Sequence, residues 1–193
     1  MHKLFVSEGI VLGKRGLGEA NTLVAILTRD LGLVKAVARS ARREASKLRY
    51  SIEPLSRGTY SFIRGKHEWK LTGAVGVSQS FSIETSIEKR QAAGRIARLL
   101  LRLIHGEEYN QGLYATVAEG LSALSRSDNV LTADIETVLV LRVISHLGYL
   151  PQTPQLRPFI EQDFFSMELS AEIQKSRELI LKAINESLSA TGL

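Results

Sequence analysis

The chain has 193 residues, enough for one large domain or two small ones with their own cores. It has no cysteine, and no apolar run nears the roughly 20 residues of a membrane-spanning helix, which excludes disulfides, thiolate nucleophiles, thiolate zinc sites and a spanning helix. The net charge of +5 is unevenly divided: residues 1–80 hold 14 Lys and Arg against 6 Asp and Glu, and residues 81–193 hold 11 against 14. A net +8 segment joined to a net −3 segment points to a polyanionic partner for the first and not for the second. Charge returns within the first eight residues, so the N-terminus does not read as a secretory leader, and a cytoplasmic protein is expected.

Taken in order, the first 80 residues read as strands. Leu4–Leu12 puts Leu4, Val6, Ile10 and Leu12 on one face at period two. A glycine-rich turn (Gly13, Gly16, Gly18) leads into the apolar run Leu23–Leu27, and Asp30-Leu31-Gly32 reverses the chain into Leu33–Arg39. On that third strand Val34, Ala36 and Ala38 face one way, and Lys35, Val37 and Arg39 the other. Thr59–Arg64 and Trp69–Val77 form a hairpin across Gly65-Lys66. Five short strands with glycine at the corners predict an OB-type barrel over residues 1–80, with an SH3-like barrel as the structural rival.

The period then changes. Thr85-Ser86-Ile87-Glu88 reads as a capping box, and Ala93, Ile96, Ala97, Leu100 and Ile104 repeat at helical spacing. Further helices are expected over about 110–125 and from Thr132 to Leu147, the latter closing on Gly148. Residues 150–170 hold Pro151, Pro154 and Pro158 and show no period, and a last helix carries Ile173, Ile180, Ile184 and Leu188. The fold class is therefore α+β: a five-stranded OB-type barrel followed by an all-α domain over 84–193.

Catalytic patterns are weak. Gly9-x-x-x-Gly13-Lys14 is one residue short of a phosphate loop and runs into a strand, and Arg15 stands where Ser or Thr is needed. His2, His67, His105 and His146 are scattered, and Glu107-Glu108 reads as a solvated helix end. Neither an enzyme nor a cofactor is expected. The segment from Arg39 to Arg49 is different, with five cations against one carboxylate. Guanidinium groups fork onto phosphate oxygens, and each neutralised phosphate releases counterions. Lys35, Arg39, Arg42, Arg43, Lys47 and Arg49 are the candidate nucleic-acid ligands, with Tyr50 as a stacking plane. Trp69 reads as core, the directions of Tyr60 and Phe62 stay open, and Arg95, Arg98 and Arg102 offer a secondary helical stripe.

The ordered text Gly9-Ile10-Val11-Leu12, Gly18-Glu19-Ala20-Asn21-Thr22-Leu23-Val24, Leu27-Thr28, Leu31-Gly32-Leu33, Ala38-Arg39-Ser40-Ala41-Arg42-Arg43 and Leu55 resembles the bacterial recombination mediator family RecO. The likeness covers the first 80 residues, extends loosely to Leu139–Leu147 with Gly148-Tyr149, and is weak beyond 150. It implies an OB fold with a helical domain behind it, binding of single- and double-stranded DNA, and annealing of complementary strands. It further implies RecR as a partner, assistance to RecA loading, and docking of the single-strand-binding protein's acidic C-terminal tail on the helical domain. Arg39, Arg42 and Arg43 match the family's basic loop. The departures are specific. The four-cysteine zinc site of many members is missing from Pro151–Phe165, so no zinc is expected. Arg39-Ser40 replaces the usual Lys-Gly, Asn21 stands where Asp is usual, and the chain is shorter than typical members, which bears on RecR binding. An RNA-binding barrel and a protein-interaction adaptor working through the helical half remain the alternatives.

Overall fold

The structure, a computed structural model, describes residues 3–79, 81, 85–151, 153–162 and 167–190, with only the backbone described for Gln111 and 167–170. Period-two alternation in the first part of the chain produces β1 (Leu4–Leu17), β2 (Asn21–Thr28), β3 (Gly32–Ala38), β4 (Ser56–Arg64) and β5 (Trp69–Gln79). They close into a barrel in the order β1-β2-β3-β5-β4. All neighbours are antiparallel except β3 and β5, whose parallel pairing covers only Ala36–Trp69, Val37–Lys70 and Ala38–Leu71. This is the five-stranded OB-type barrel expected from the sequence.

Strand register corrects the face assignments. Along β1 the ladder to β2 jumps from Val11 to Gly13, leaving Leu12 unpaired, and β1 runs on to Leu17 so that the turn falls at 18–20. Leu4 and Val6 do share a face, but it is the outside of the barrel, where both are 56% exposed. The interior is lined instead by Val11, Val24, Ile26, Val34, Ala36, Ala38, Tyr60, Phe62, Trp69 and Leu71, with Phe5 packed against them. Along β5 the ladder to β4 skips Thr72, so the alternation slips by one. Ala74 therefore packs on the core, and Val75, which strict alternation would put on the same face as Trp69, is 66% exposed.

Residues 87–103 form α1 (Ile87–Leu103), and Gln111–Arg126 form α2. At the start of α1 the Ser86 Oγ accepts the Lys89 N–H at 3.4 Å. The strands and residues 97–114 belong to one compact unit, and residues 85–96 with 115–193 to a second. Within the first, Leu101 lies 3.2 Å from where a Cβ on Gly13 would be. Gly32 has φ +69°, and a Cβ there would stand 2.5 Å from the Glu108 carbonyl oxygen, so only glycine lets the β2–β3 turn meet residues 107–108.

The second unit contains α3 (Thr132–His146), α4 (Arg157–Glu161) and α5 (Met167–Ala190). α3 ends as the sequence indicates. Gly148 takes φ +76°, its N–H donates to Ser145, and the Tyr149 N–H donates to Ile144, a Schellman closure. The aperiodic 150–162 stretch contains the short α4, with Pro158 in its first turn. Val138, Leu139, Leu141 and Ile144 of α3 are buried, as are Ile173, Ile180 and Ile184 of α5.

Candidate nucleic-acid interface

Alternation on β3 sorts apolar from basic. Val34, Ala36 and Ala38 fill the barrel, which turns Lys35 and Arg39 to the outside, where both are exposed. Pairing then sets their neighbours. Leu23 lies opposite both Val37 and Arg15, and Val37 also pairs with Lys70. The outer face of β1-β2-β3-β5 thus carries Arg15, Lys35, Arg39 and Lys70 around Leu23 and Val37. Arg15 and Lys70 were not singled out from sequence, because cross-strand register cannot be read from spacing within one strand.

Beyond β3, residues 39–55 form a string of turns that is anchored, not loose. Ala41 and Ile52 are buried in the barrel core, with Leu48 packed against it. Tyr60 Oη donates to the Ser51 carbonyl at 3.0 Å, and burial pushes that hydroxyl's pKa well above its ordinary range. Gln79 Nε2 donates to the Tyr50 carbonyl at 3.2 Å. At the other end the Arg42 N–H donates to Ala20 and Arg42 Nη1 to Gly18, while the Ser40 N–H donates to Asn21 Oδ1. Ser40 has φ +53° and Leu55 φ +68°, left-handed conformations that cost a non-glycine residue about 1–2 kcal/mol.

The six candidate cations are all exposed, but they fall into two groups. Lys35, Arg39, Arg42 and Arg43 gather by β3 and the β1–β2 turn. Lys47 and Arg49 lie further on, where the loop is tied to β4 and β5. Arg49 stands 5.9 Å from the ring of Tyr50, which is 69% exposed. Among the described residues none of the six forms an ion pair. Other barrel cations do: Lys14 with Glu53 at 2.6 Å, Arg57 with Glu8 at 3.7 Å, Arg64 with Glu107 at 3.4 Å. Unpaired exposed cations cost little in water and attract any polyanion that arrives.

Several other readings are settled by contacts. Lys14 continues a strand and is bonded to Glu53, so Gly9–Lys14 is no phosphate loop. Tyr60, Phe62 and Trp69 are core. Glu107 is not merely solvated: it accepts the Trp69 Nε1–H at 2.6 Å and holds Arg64, whose guanidinium lies 5.1 Å over the indole. Arg95 makes two 2.6 Å bonds to Glu136, so it does not extend a basic path. The 151–162 stretch does not suit a zinc ion. It has no cysteine, no cluster of metal-binding side chains occurs among the described residues, and the carbonyls of Phe159 and Gln162 are held by Arg142.

The second unit also has a groove of about 400 Å³ between Tyr149, Pro151, Thr153, Gln155 and Leu156 on one side and the C-terminal half of α5 on the other. Its walls include Tyr149, Leu156, Leu179, Lys182 and Ala183.

Residues 1–79 match the family model for the recombination protein O N terminal. The chain is 29% identical over 145 residues to the DNA repair protein RecO of Caldanaerobacter subterraneus subsp. tengcongensis, a match covering 75% of this chain and 58% of that protein. It is 28% identical to the proteins of that name in Heliobacterium modesticaldum and Dehalococcoides mccartyi, over 78% and 77% of its own length and 54% and 58% of theirs. The resemblance read from the sequence is borne out, and the chain spans a little over half the length of these relatives.

Proposed function

We propose, from the match of residues 1–79 to the recombination protein O N-terminal model, that the chain binds single- and double-stranded DNA as a non-catalytic repair and recombination mediator. The binding surface is the outer face of β3 with the loop that follows it, contributed by Lys35, Arg39, Arg42, Arg43, Lys47 and Arg49 and extended by Arg15 and Lys70. One observation carries this reading: the six loop and strand cations lie exposed on an anchored scaffold without ion pairs among the described residues, while Lys14, Arg57 and Arg64 elsewhere on the barrel are paired. Such a surface neutralises backbone phosphate and leaves base pairing to choose the partner strand, which is what annealing requires. In the cell it would act in the cytoplasm, on strands coated by single-strand-binding protein, with RecR, ahead of RecA loading.

The test is an annealing assay on complementary strands coated with single-strand-binding protein, run beside salt-dependent anisotropy and ATPase and nuclease controls. Affinity should fall steeply and linearly on a log–log salt plot, with little sequence preference and no turnover. Binding insensitive to salt, or strand cleavage, would falsify the proposal. RNA of the same sequence, added as competitor, separates a DNA-binding from an RNA-binding barrel.

The groove beside α5 is the proposed dock for the acidic tail of single-strand-binding protein. Its apolar walls suit a short apolar peptide, and Lys182, which pairs with Glu186 of the same groove at 3.9 Å, is the cation that a carboxylate of the tail would take over. Titrating that tail peptide against the chain and against Lys182→Glu should give binding only to the parent.

A further inference from the structure

The β1–β2 turn and the start of the basic loop are joined by three hydrogen bonds. Ser40 N–H donates to Asn21 Oδ1 at 3.0 Å, Arg42 N–H to the Ala20 carbonyl at 3.1 Å, and Arg42 Nη1 to the Gly18 carbonyl at 3.0 Å. The first is the only one accepted by a side chain. It falls on a residue that needs it, because Ser40 sits at φ +53°, where a side chain is strained. Ser40 is also where the chain leaves β3, one residue after Arg39 and two before Arg42. Relaxation of Ser40 out of the left-handed region would therefore swing Arg42 and Arg43 relative to Arg39.

Building on the DNA-binding reading, we infer that Asn21 is a positioning residue for that surface. Its amide oxygen holds Ser40 left-handed and so fixes the direction in which Arg39, Arg42 and Arg43 meet a phosphate backbone. Asn21 pairs with Leu17 at the end of the β1–β2 ladder, one residue before Thr22 meets Ala38 of β3, so it lies at the exit of β3. Asn21 and Ser40 meet in this one hydrogen bond. A glycine at 40 adopts the left-handed conformation without strain and leans less on its acceptor. This chain, with serine there, depends on the acceptor more.

The experiment uses the full chain and three variants: Asn21→Ala, Ser40→Gly, and the two combined. Anisotropy with a labelled oligo-dT across a salt series is run beside limited trypsin digestion without DNA, following cleavage after Arg42 and Arg43. Asn21→Ala should weaken DNA binding by about fivefold, the effect of removing one neutral hydrogen bond from the binding-competent population. The salt slope should stay at the parent value, because the number of phosphates neutralised is the same once the loop is in place. Cleavage should accelerate by a similar factor. Adding Ser40→Gly should return both readouts towards the parent, and Ser40→Gly alone should match or exceed it. Parent-like behaviour of Asn21→Ala in both readouts overturns the inference. So does an affinity loss that glycine at 40 fails to restore, since that would make Asn21 a direct ligand. A parent chain that binds no DNA overturns the binding reading and the positioning role together, and the trypsin arm then reports on the latch alone.

Discussion

The cations named in the two units do different work. In the helical unit four of them are committed inward or to a neighbour. Lys89 Nζ donates to the carbonyls of Ser125 and Ser127 at the end of α2, Arg142 to those of Phe159 and Gln162, Arg95 pairs with Glu136, and Arg177 approaches Asp134 at 3.6 Å. In the barrel unit Lys35, Arg39, Arg43 and Lys47 have neither ion pairs nor carbonyl partners among the described residues, and Arg42 gives one donor to Gly18. A cation that closes a helix end or satisfies a buried carbonyl holds the fold together. One that faces water alone adds nothing to folding and is available to a ligand. A count of Lys and Arg cannot make that distinction; their partners can.

The sharpest way to break the contrast is Arg142→Met. Arg142 is 5% exposed, and its removal strands the Phe159 and Gln162 carbonyls. Urea denaturation should show a loss of about 3 kcal/mol, with DNA affinity unchanged for the folded fraction. An unaltered midpoint would mean that the guanidinium is not structural. Next comes reversal of Arg42 and Arg43 to Glu, which should weaken single-strand binding about a hundredfold at moderate salt while moving stability by less than about 1 kcal/mol. If stability fell and affinity held, the barrel cations would be the structural ones and the comparison would invert.

Smaller effects sharpen the picture. Arg15→Gln and Lys70→Gln should each cost about threefold in affinity and reduce the salt slope by about 1, which tests whether the sheet face continues the loop. A double-mutant cycle on Arg95 and Glu136 should return a coupling near 0.5 kcal/mol, because the Arg95 side chain is 52% exposed and the pair is screened. The least effect is expected from pH. Burial, and then the nearby Arg142, hold the His146 imidazole below its ordinary pKa. The unfolded chain therefore takes up that proton first, and stability should decline as pH falls through the unfolded value near about 6.5. Thermal melts at pH 7.5 and 5.5, repeated on His146→Gln, would isolate the contribution, which stays small because the imidazole is only partly buried.

Much of the barrel was legible because a half-buried strand must alternate. Lys35 against Val34 and Ala36 needs no more than that rule. What misled was phase. Leu4 and Val6 look like core and face water, because the other face of that strand, with Phe5 and Val11, lines the barrel, and Val75 lands outside because one unpaired residue at Thr72 turns the later side chains over. α4 escaped notice since five residues hold barely more than one helical turn and its proline resembles a breaker. The candidate surface was half visible. The loop's charge stood in the sequence, whereas Arg15 and Lys70 enter through register, and Asn21 through the conformation of a residue 19 positions away. Glu107 was dismissed for the same reason: its partner Trp69 lies 38 residues off in the chain.

The parallel seam between β3 and β5 has a consequence for how the barrel breathes. Three residue pairs, from Ala36–Trp69 to Ala38–Leu71, close a ring whose other joints are all longer. A ring opens at its shortest joint, since that exposes the least backbone for the greatest gain in freedom. The amides along this seam should therefore exchange with solvent deuterium ahead of those between β1 and β2. The stretch that parts first ends beside Arg39, so the barrel's fastest clock ticks next to its basic loop.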